Sequence, residues 1–185
     1  KAEKDALSYY LSSAIMTPEV RVETNENGFC PYHFILLSKE GKPQSLALLM
    51  DTYYGKDQEI FSPYFTSIKK AGNARKALKA AEGFRSALSE REKGCLICSR
   101  MKDREDRYLY TIASLWNEDS AFRSFFNSSK GLCMHHTALL SENRGEPLSG
   151  PSLLSFLQDL FSLLERNLER VRKDDWWMTQ KYKSE

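Results

Sequence analysis

Cysteine is scarce in this sequence, and so are several features that would mark a specialised class of protein. Four cysteines in 185 residues are too few for the disulfide framework of a small secreted domain. No apolar run approaches the roughly 20 residues that a membrane-spanning helix needs. The formal net charge is +2, which favours neither a nucleic acid nor a membrane surface as a partner. We therefore expect a soluble protein that binds neither.

Alternation of polar and apolar residues, which is typical of half-buried strands, is also rare in this sequence. Apolar residues recur instead at steps of three and four, most clearly across residues 153–171. There the spacing predicts a long helix with one apolar stripe, suited either to packing within a bundle or to a second subunit. The sequence therefore predicts an all-α fold, a helical bundle.

Recognisable catalytic motifs are missing. The sequence has no P-loop, no G-x-G-x-x-G after a strand, no H-E-x-x-H and no nucleophile elbow. Glu23, Glu26 and Asp119 lie close to histidine motifs, where they would serve as hydrogen-bond acceptors for a ligand histidine or simply face solvent. We expect no enzymatic activity.

The few cysteines that are present lie in short motifs with a spacing typical of metal sites. Cys95 and Cys98 form a C-x-x-C motif directly after Gly94, and Cys133 and His136 form a C-x-x-H motif. Structural zinc sites use four such ligands in a tetrahedron, and three cysteines with one histidine are a common set. We predict that one zinc ion is bound by four residues: Cys95, Cys98, Cys133 and His136. An iron–sulfur cluster is less favoured, because its common ligands are all cysteines.

Two other interpretations of these residues stay open. The cysteines can be small buried hydrophobic residues, with His136 a hydrogen-bonded core histidine. Alternatively, Cys95 and Cys98 can form a redox dithiol, although such motifs usually follow a β-strand and none is predicted here.

A second copy of the C-x-x-H motif occurs early in the chain. "GFCPYH" (28–33) and "GLCMHH" (131–136) share the pattern G-[FL]-C-x-x-H, which makes Cys30 and His33 a weaker second half-site. The segments "EKDALSYYLSSAIM" and "EDRYLYTIASLW" precede the two copies at similar distances. The repetition predicts two related helical halves, 1–66 and 95–185, joined by a basic connecting segment over 67–94.

The first half contains only half of a metal site. Cys133 follows Cys30 by 103 residues, and the same offset places a counterpart of the Cys95–Cys98 motif just before Lys1. We therefore expect a further C-x-x-C within about ten residues upstream of Lys1, a distance that follows from the repeat.

These motifs, together with "TNENGFCPYH", "SSKGLCMHH" and "LERVRKDDWW", resemble an uncharacterised bacterial family found in Firmicutes-type genomes. The resemblance covers most of the chain and implies a cytoplasmic helical protein with no assigned activity. It also implies a C-P-x-C-like motif near the N-terminus.

The combined hypothesis is a zinc-binding helical protein without enzymatic activity, in which the metal joins helices that are distant in sequence. Its role would be interaction with a protein partner or regulation, with oligomer formation through the 153–171 helix as one form of this. The alternative from another class is a thiol-based redox protein or sensor that uses Cys95 and Cys98.

Overall fold

A computed structural model describes residues 1–182, and all regular elements within that range are helical. Nine α-helices and one 3₁₀ helix follow in the order α1 Ala2–Tyr10, the 3₁₀ helix Ser13–Met16, α2 Pro18–Asn27, α3 Pro31–Lys39, α4 Pro43–Lys69, α5 Ala74–Arg91, α6 Leu96–Glu118, α7 Ser120–Ser128, α8 Met134–Ser141 and α9 Gly150–Lys181. The predicted all-α fold class is confirmed.

The starts of the helices follow from local sequence. Pro18, Pro31 and Pro43 lie at the first positions of α2, α3 and α4, where the missing N–H breaks no helical hydrogen bond. The side chains of Asn73 and Asp119 accept hydrogen bonds from backbone N–H groups at the starts of α5 and α7. These N–H donors would otherwise have no partner within the helix.

The described chain forms two compact units, Lys1–Asp103 and Arg104–Glu185. The boundary falls inside α6, so Cys95 and Cys98 belong to the first unit. The predicted division placed both cysteines at the start of the second half. Each unit has its own apolar core, with Tyr10 and Ile97 buried in the first and Trp116 and Phe156 buried in the second.

The basic connecting segment contains an ordered helix in the first unit. Helix α5 packs against α4, and Arg91 at its end is nearly enclosed. Arg91 Nε donates to Asp57 Oδ1 at 2.7 Å, its Nη1 donates to the Glu26 carbonyl at 2.6 Å, and its guanidinium lies 4.4 Å from the centre of the Tyr53 ring. These contacts direct the chain toward Gly94 and the C-x-x-C motif.

The second unit buries only the first part of the predicted apolar stripe. Phe156, Leu160 and Leu163 of α9 are buried, whereas Leu168 and Val171 are about half exposed. No helix in the described part of the chain, α9 included, combines the length and apolar character that crossing a bilayer requires.

Candidate metal centre

Four potential ligand atoms converge in the first unit, on residues that we call the His33 cluster: Cys30, His33, Cys95 and Cys98. All four atoms lie within 4.8 Å of one another, and each of the three Sγ atoms is 3.3 Å from His33 Nδ1. Zinc bonds of about 2.3 Å to sulfur and about 2.0 Å to nitrogen place tetrahedral ligands roughly 3.5 Å apart. The cluster therefore has the size and donor set to hold a metal ion.

The first two ligands come from a tight turn that leads into α3. Gly28 adopts φ +64°, and a Cβ there would lie 2.7 Å from the Tyr53 ring, so this position requires glycine. Cys30 is the N-cap of α3 and His33 lies in its first turn. Residues three apart on a helix share a face, which aims Cys30 Sγ and His33 Nδ1 at the same point.

The other two ligands are brought to this turn by backbone contacts. A Cβ at Gly94 would lie 2.3 Å from the Asn27 carbonyl oxygen, so only glycine permits this close approach of two chain segments. The Leu96 N–H then donates to the Gly28 carbonyl at 3.1 Å. Gly94 does not have a positive φ. Glycine is therefore required at this position because there is no space for a side chain, and not because the backbone conformation is unusual. Cys95 precedes α6 and Cys98 lies in its first turn.

The orientation of the His33 ring is held from the side opposite the sulfurs. His33 Nε2 lies 3.2 Å from Glu3 Oε1, and the imidazole is almost completely buried. A carboxylate on Nε2 favours the tautomer with its proton there, which leaves the Nδ1 lone pair free for a metal. The sequence analysis did not identify Glu3 and considered other acidic residues as acceptors for the histidine. The repeat could have identified it, because Glu3 and Glu105 are the first residues of the two parallel segments "EKDALSYY" and "EDRYLYTI".

The surroundings in the His33 cluster shift the pKa values of two neighbouring thiols, Cys95 and Cys98, in opposite directions. Burial acts to raise the pKa of Cys95, but hydrogen bonds from the backbone and thiols of Cys30 and Cys98 outweigh it and lower this pKa to about 7. Burial, together with the adjacent Cys95 sulfur, raises the pKa of Cys98 to about 12. Without a cation, a second thiolate is opposed by the first; a divalent cation would reverse this balance by stabilising each negative sulfur.

Cys133 and His136 lie outside this cluster, in the second unit. Cys133 Sγ is 3.0 Å from His136 Nδ1, and His136 Nε2 is 3.1 Å from Glu105 Oε1. Among residues 1–182, no further cysteine, histidine or carboxylate completes a comparably compact group of metal ligands around this pair.

The structure thus assembles a different set from the expected one. Cys95 and Cys98 meet Cys30 and His33, the weaker half-site, instead of Cys133 and His136. The reason lies in the tertiary structure: Leu96 and Ile97 are buried in the first core, which places the start of α6 beside the Gly28 turn.

The donor type, three cysteines and one histidine, agrees with the prediction. The His33 cluster reaches four ligands without the pair expected upstream of Lys1.

Comparison with known proteins gives a family but no activity. Residues 1–185 match the family described as "Family of unknown function (DUF6062)", and the chain belongs to this family. No curated protein and no solved structure matches it.

Proposed function

We propose that this protein binds one zinc ion at the His33 cluster and that the ion has a structural role. The observation that carries the proposal is the convergence of four protein ligands, three sulfurs and one nitrogen, within 4.8 Å. Four protein ligands saturate tetrahedral zinc and leave no position for substrate, whereas catalytic zinc keeps one open. Soft thiolates with one imidazole favour zinc over magnesium or calcium.

The position of the cluster supports a role in stability. Cys95 and His33 are buried, and their sequence separation is 62 residues. An ion there would join the starts of α3 and α6, and its binding free energy would add to the folding free energy of the first unit.

Because disulfides are uncommon in the cytosol and all four cysteines are free thiols, we further infer a cytoplasmic location.

The biological role we infer is interaction or regulation, with α9 as the contact surface. Its second part exposes large apolar side chains: Leu168, Val171, Trp176, Trp177 and Met178. Large exposed apolar side chains grouped in one segment are typical of interaction sites. Because Leu168 and Val171 belong to the stripe predicted to suit a second subunit, we take a second copy of this chain as the partner. Sedimentation should show a dimer that Val171→Glu dissociates, while Gln158→Glu, at an exposed position in the first part of the same helix, should leave it intact. A monomer at all concentrations would exclude this partner.

Elemental analysis tests the metal proposal directly. Protein purified without added metal should contain one zinc per chain, and the Cys98→Ser variant should lose most of it. Cys133→Ser is the matched control, because that residue lies outside the cluster, and it should keep one zinc. Metal-free wild-type protein with unchanged stability on zinc addition would refute the proposal. Replacement by Co²⁺ should produce sulfur-to-metal charge-transfer absorption, which Cys98→Ser weakens.

A redox role for Cys95 and Cys98 is the second candidate. The lowered pKa of Cys95 and the exposure of Cys98 favour it, since a thiolate next to an accessible thiol is the usual arrangement for disulfide formation. Mild oxidation of zinc-free and zinc-loaded protein separates the two functions. Rapid formation of a Cys95–Cys98 disulfide at equal rates in both states would favour the redox role, and protection by zinc would favour the structural one.

A further inference from the structure

A second cluster of reactive side chains lies in the Arg104–Glu185 unit, and we call it the Cys133 triad: Cys133, His136 and Glu105. Its three groups form a line of hydrogen bonds, with 3.0 Å from Cys133 Sγ to His136 Nδ1 and 3.1 Å from His136 Nε2 to Glu105 Oε1. Cys133 is exposed, and the side chain of His136 is 48% exposed.

The local geometry closely repeats that of the His33 cluster. Cys133 has φ −67° and ψ 162° at the N-cap of α8, and Cys30 has φ −67° and ψ 160° at the N-cap of α3. Each histidine follows its cysteine by three residues and contacts a glutamate through Nε2. The surroundings differ, because Cys30 faces two further sulfurs in a largely buried cluster and Cys133 faces solvent.

We propose that the Cys133 triad is a reactive thiolate site that exchanges with disulfides of low-molecular-weight thiols. Cys133 is the nucleophile, His136 holds and transfers the proton, and Glu105 is a positioning residue. A nucleophile within hydrogen-bonding reach of a base that is itself oriented by a third group is the general arrangement of activated nucleophiles. The amide groups and dipole at the start of α8 favour negative charge on this sulfur as well.

The electrostatics agree with the geometry. Hydrogen bonding from the His136 backbone and then from its imidazole lowers the pKa of Cys133. The Cys133 sulfur, followed by Glu105, raises the pKa of His136 above its usual value. The pair is therefore biased toward thiolate and imidazolium, the form that attacks a disulfide.

The exchange reaction needs only the Cys133 thiolate, the His136 imidazolium and the small disulfide. The Cys133 thiolate attacks one sulfur of R–S–S–R, a new Sγ–S bond forms and the original S–S bond breaks. The electron pair leaves with the second sulfur as RS⁻, which takes the proton of the His136 imidazolium. Cys133 is thereby oxidised to a mixed disulfide, and half of the small disulfide is reduced to a free thiol.

The experiment uses the full chain and oxidised glutathione, with peptide mass mapping to assign each adduct to its cysteine. At neutral pH the adduct should form first on Cys133, about tenfold faster than in His136→Asn. His135→Asn is the matched control on the same helix and should react like wild type. Glu105→Gln should slow the reaction severalfold, because the imidazolium loses its carboxylate partner.

Three outcomes would overturn this proposal: a rate at Cys133 that His136→Asn leaves unchanged, a rate that Glu105→Gln leaves unchanged, or complete protection of Cys133 by stoichiometric zinc. The last result would mark Cys133 as a metal ligand, as the sequence alone predicted. If circular dichroism shows that His136→Asn does not fold, Glu105→Gln decides the proposal. Since adducts are assigned cysteine by cysteine, failure here is distinguishable from failure of the zinc site at the His33 cluster.

Discussion

Gly94 lies so close to the Asn27 carbonyl that a Cβ at this position would be 2.3 Å from the oxygen. This approach lets the C-x-x-C motif reach the turn that carries Cys30. Gly94→Ala must therefore push the two segments apart, and overpacking of this kind typically costs about 1–3 kcal/mol. We expect urea unfolding to show this loss of stability, together with at least about a tenfold loss of zinc affinity that follows from displaced ligands.

Gly55→Ala is the control for that substitution. Gly55 lies inside α4, and a Cβ there meets nothing within 4 Å. Since alanine favours helix over glycine, this variant should be more stable by up to about 1 kcal/mol. Equal effects of the two substitutions would show that Gly94 has no special role in bringing the ligands together.

Removal of the metal should destabilise the protein. Zinc at 100 times its dissociation constant adds about 2.7 kcal/mol to the free energy of unfolding if it binds only the folded state. Thermal unfolding of the wild-type chain should therefore shift to lower temperature after chelation and recover on addition of zinc. In Cys98→Ser the chelator should have little effect, and a full response there would point to a site elsewhere.

Zinc affinity should rise with pH. The metal-free chain holds a proton on Cys98, whose pKa is raised to about 12, and zinc must displace that proton to bind the thiolate. One displaced proton gives about a tenfold gain in affinity per pH unit. Below about pH 7 the dependence should steepen, because Cys95, with a pKa of about 7, is then protonated as well.

Calorimetry in buffers with different enthalpies of ionisation measures this proton release. We expect at least one proton per zinc ion at neutral pH and more in acid. An affinity that does not change with pH would contradict the assignment of Cys98 as a ligand.

Glu3→Gln tests the support given to the ligand histidine. The carboxylate on His33 Nε2 fixes the ring and makes Nδ1 a stronger donor, so its loss should weaken zinc binding about 10–100-fold. Competition with a chromophoric chelator gives the number. Glu19→Gln removes an exposed carboxylate from α2 and should bind zinc like wild type; a similar loss in both variants would indicate a general charge effect.

Much of the local structure could be predicted from the residues. Proline at the start of α3, together with an i, i+3 pair of cysteine and histidine, defines a ligand-bearing helix start through short-range geometry. The pairing of the motifs could not be predicted in this way. Both C-x-x-H copies have the same spacing, and nothing within a short window distinguishes His33 from His136.

Donor chemistry, helical content and the repeated G-[FL]-C-x-x-H pattern follow from the amino-acid order alone, because each depends on residues only a few positions apart. The partner of Cys95 and Cys98 was decided by the fold. Burial of Leu96 and Ile97 and the close contact of Gly94 with Asn27 bring the start of α6 to the first motif. Such contacts join residues far apart in the chain, and the free energy that selects them comes from packing of the whole unit.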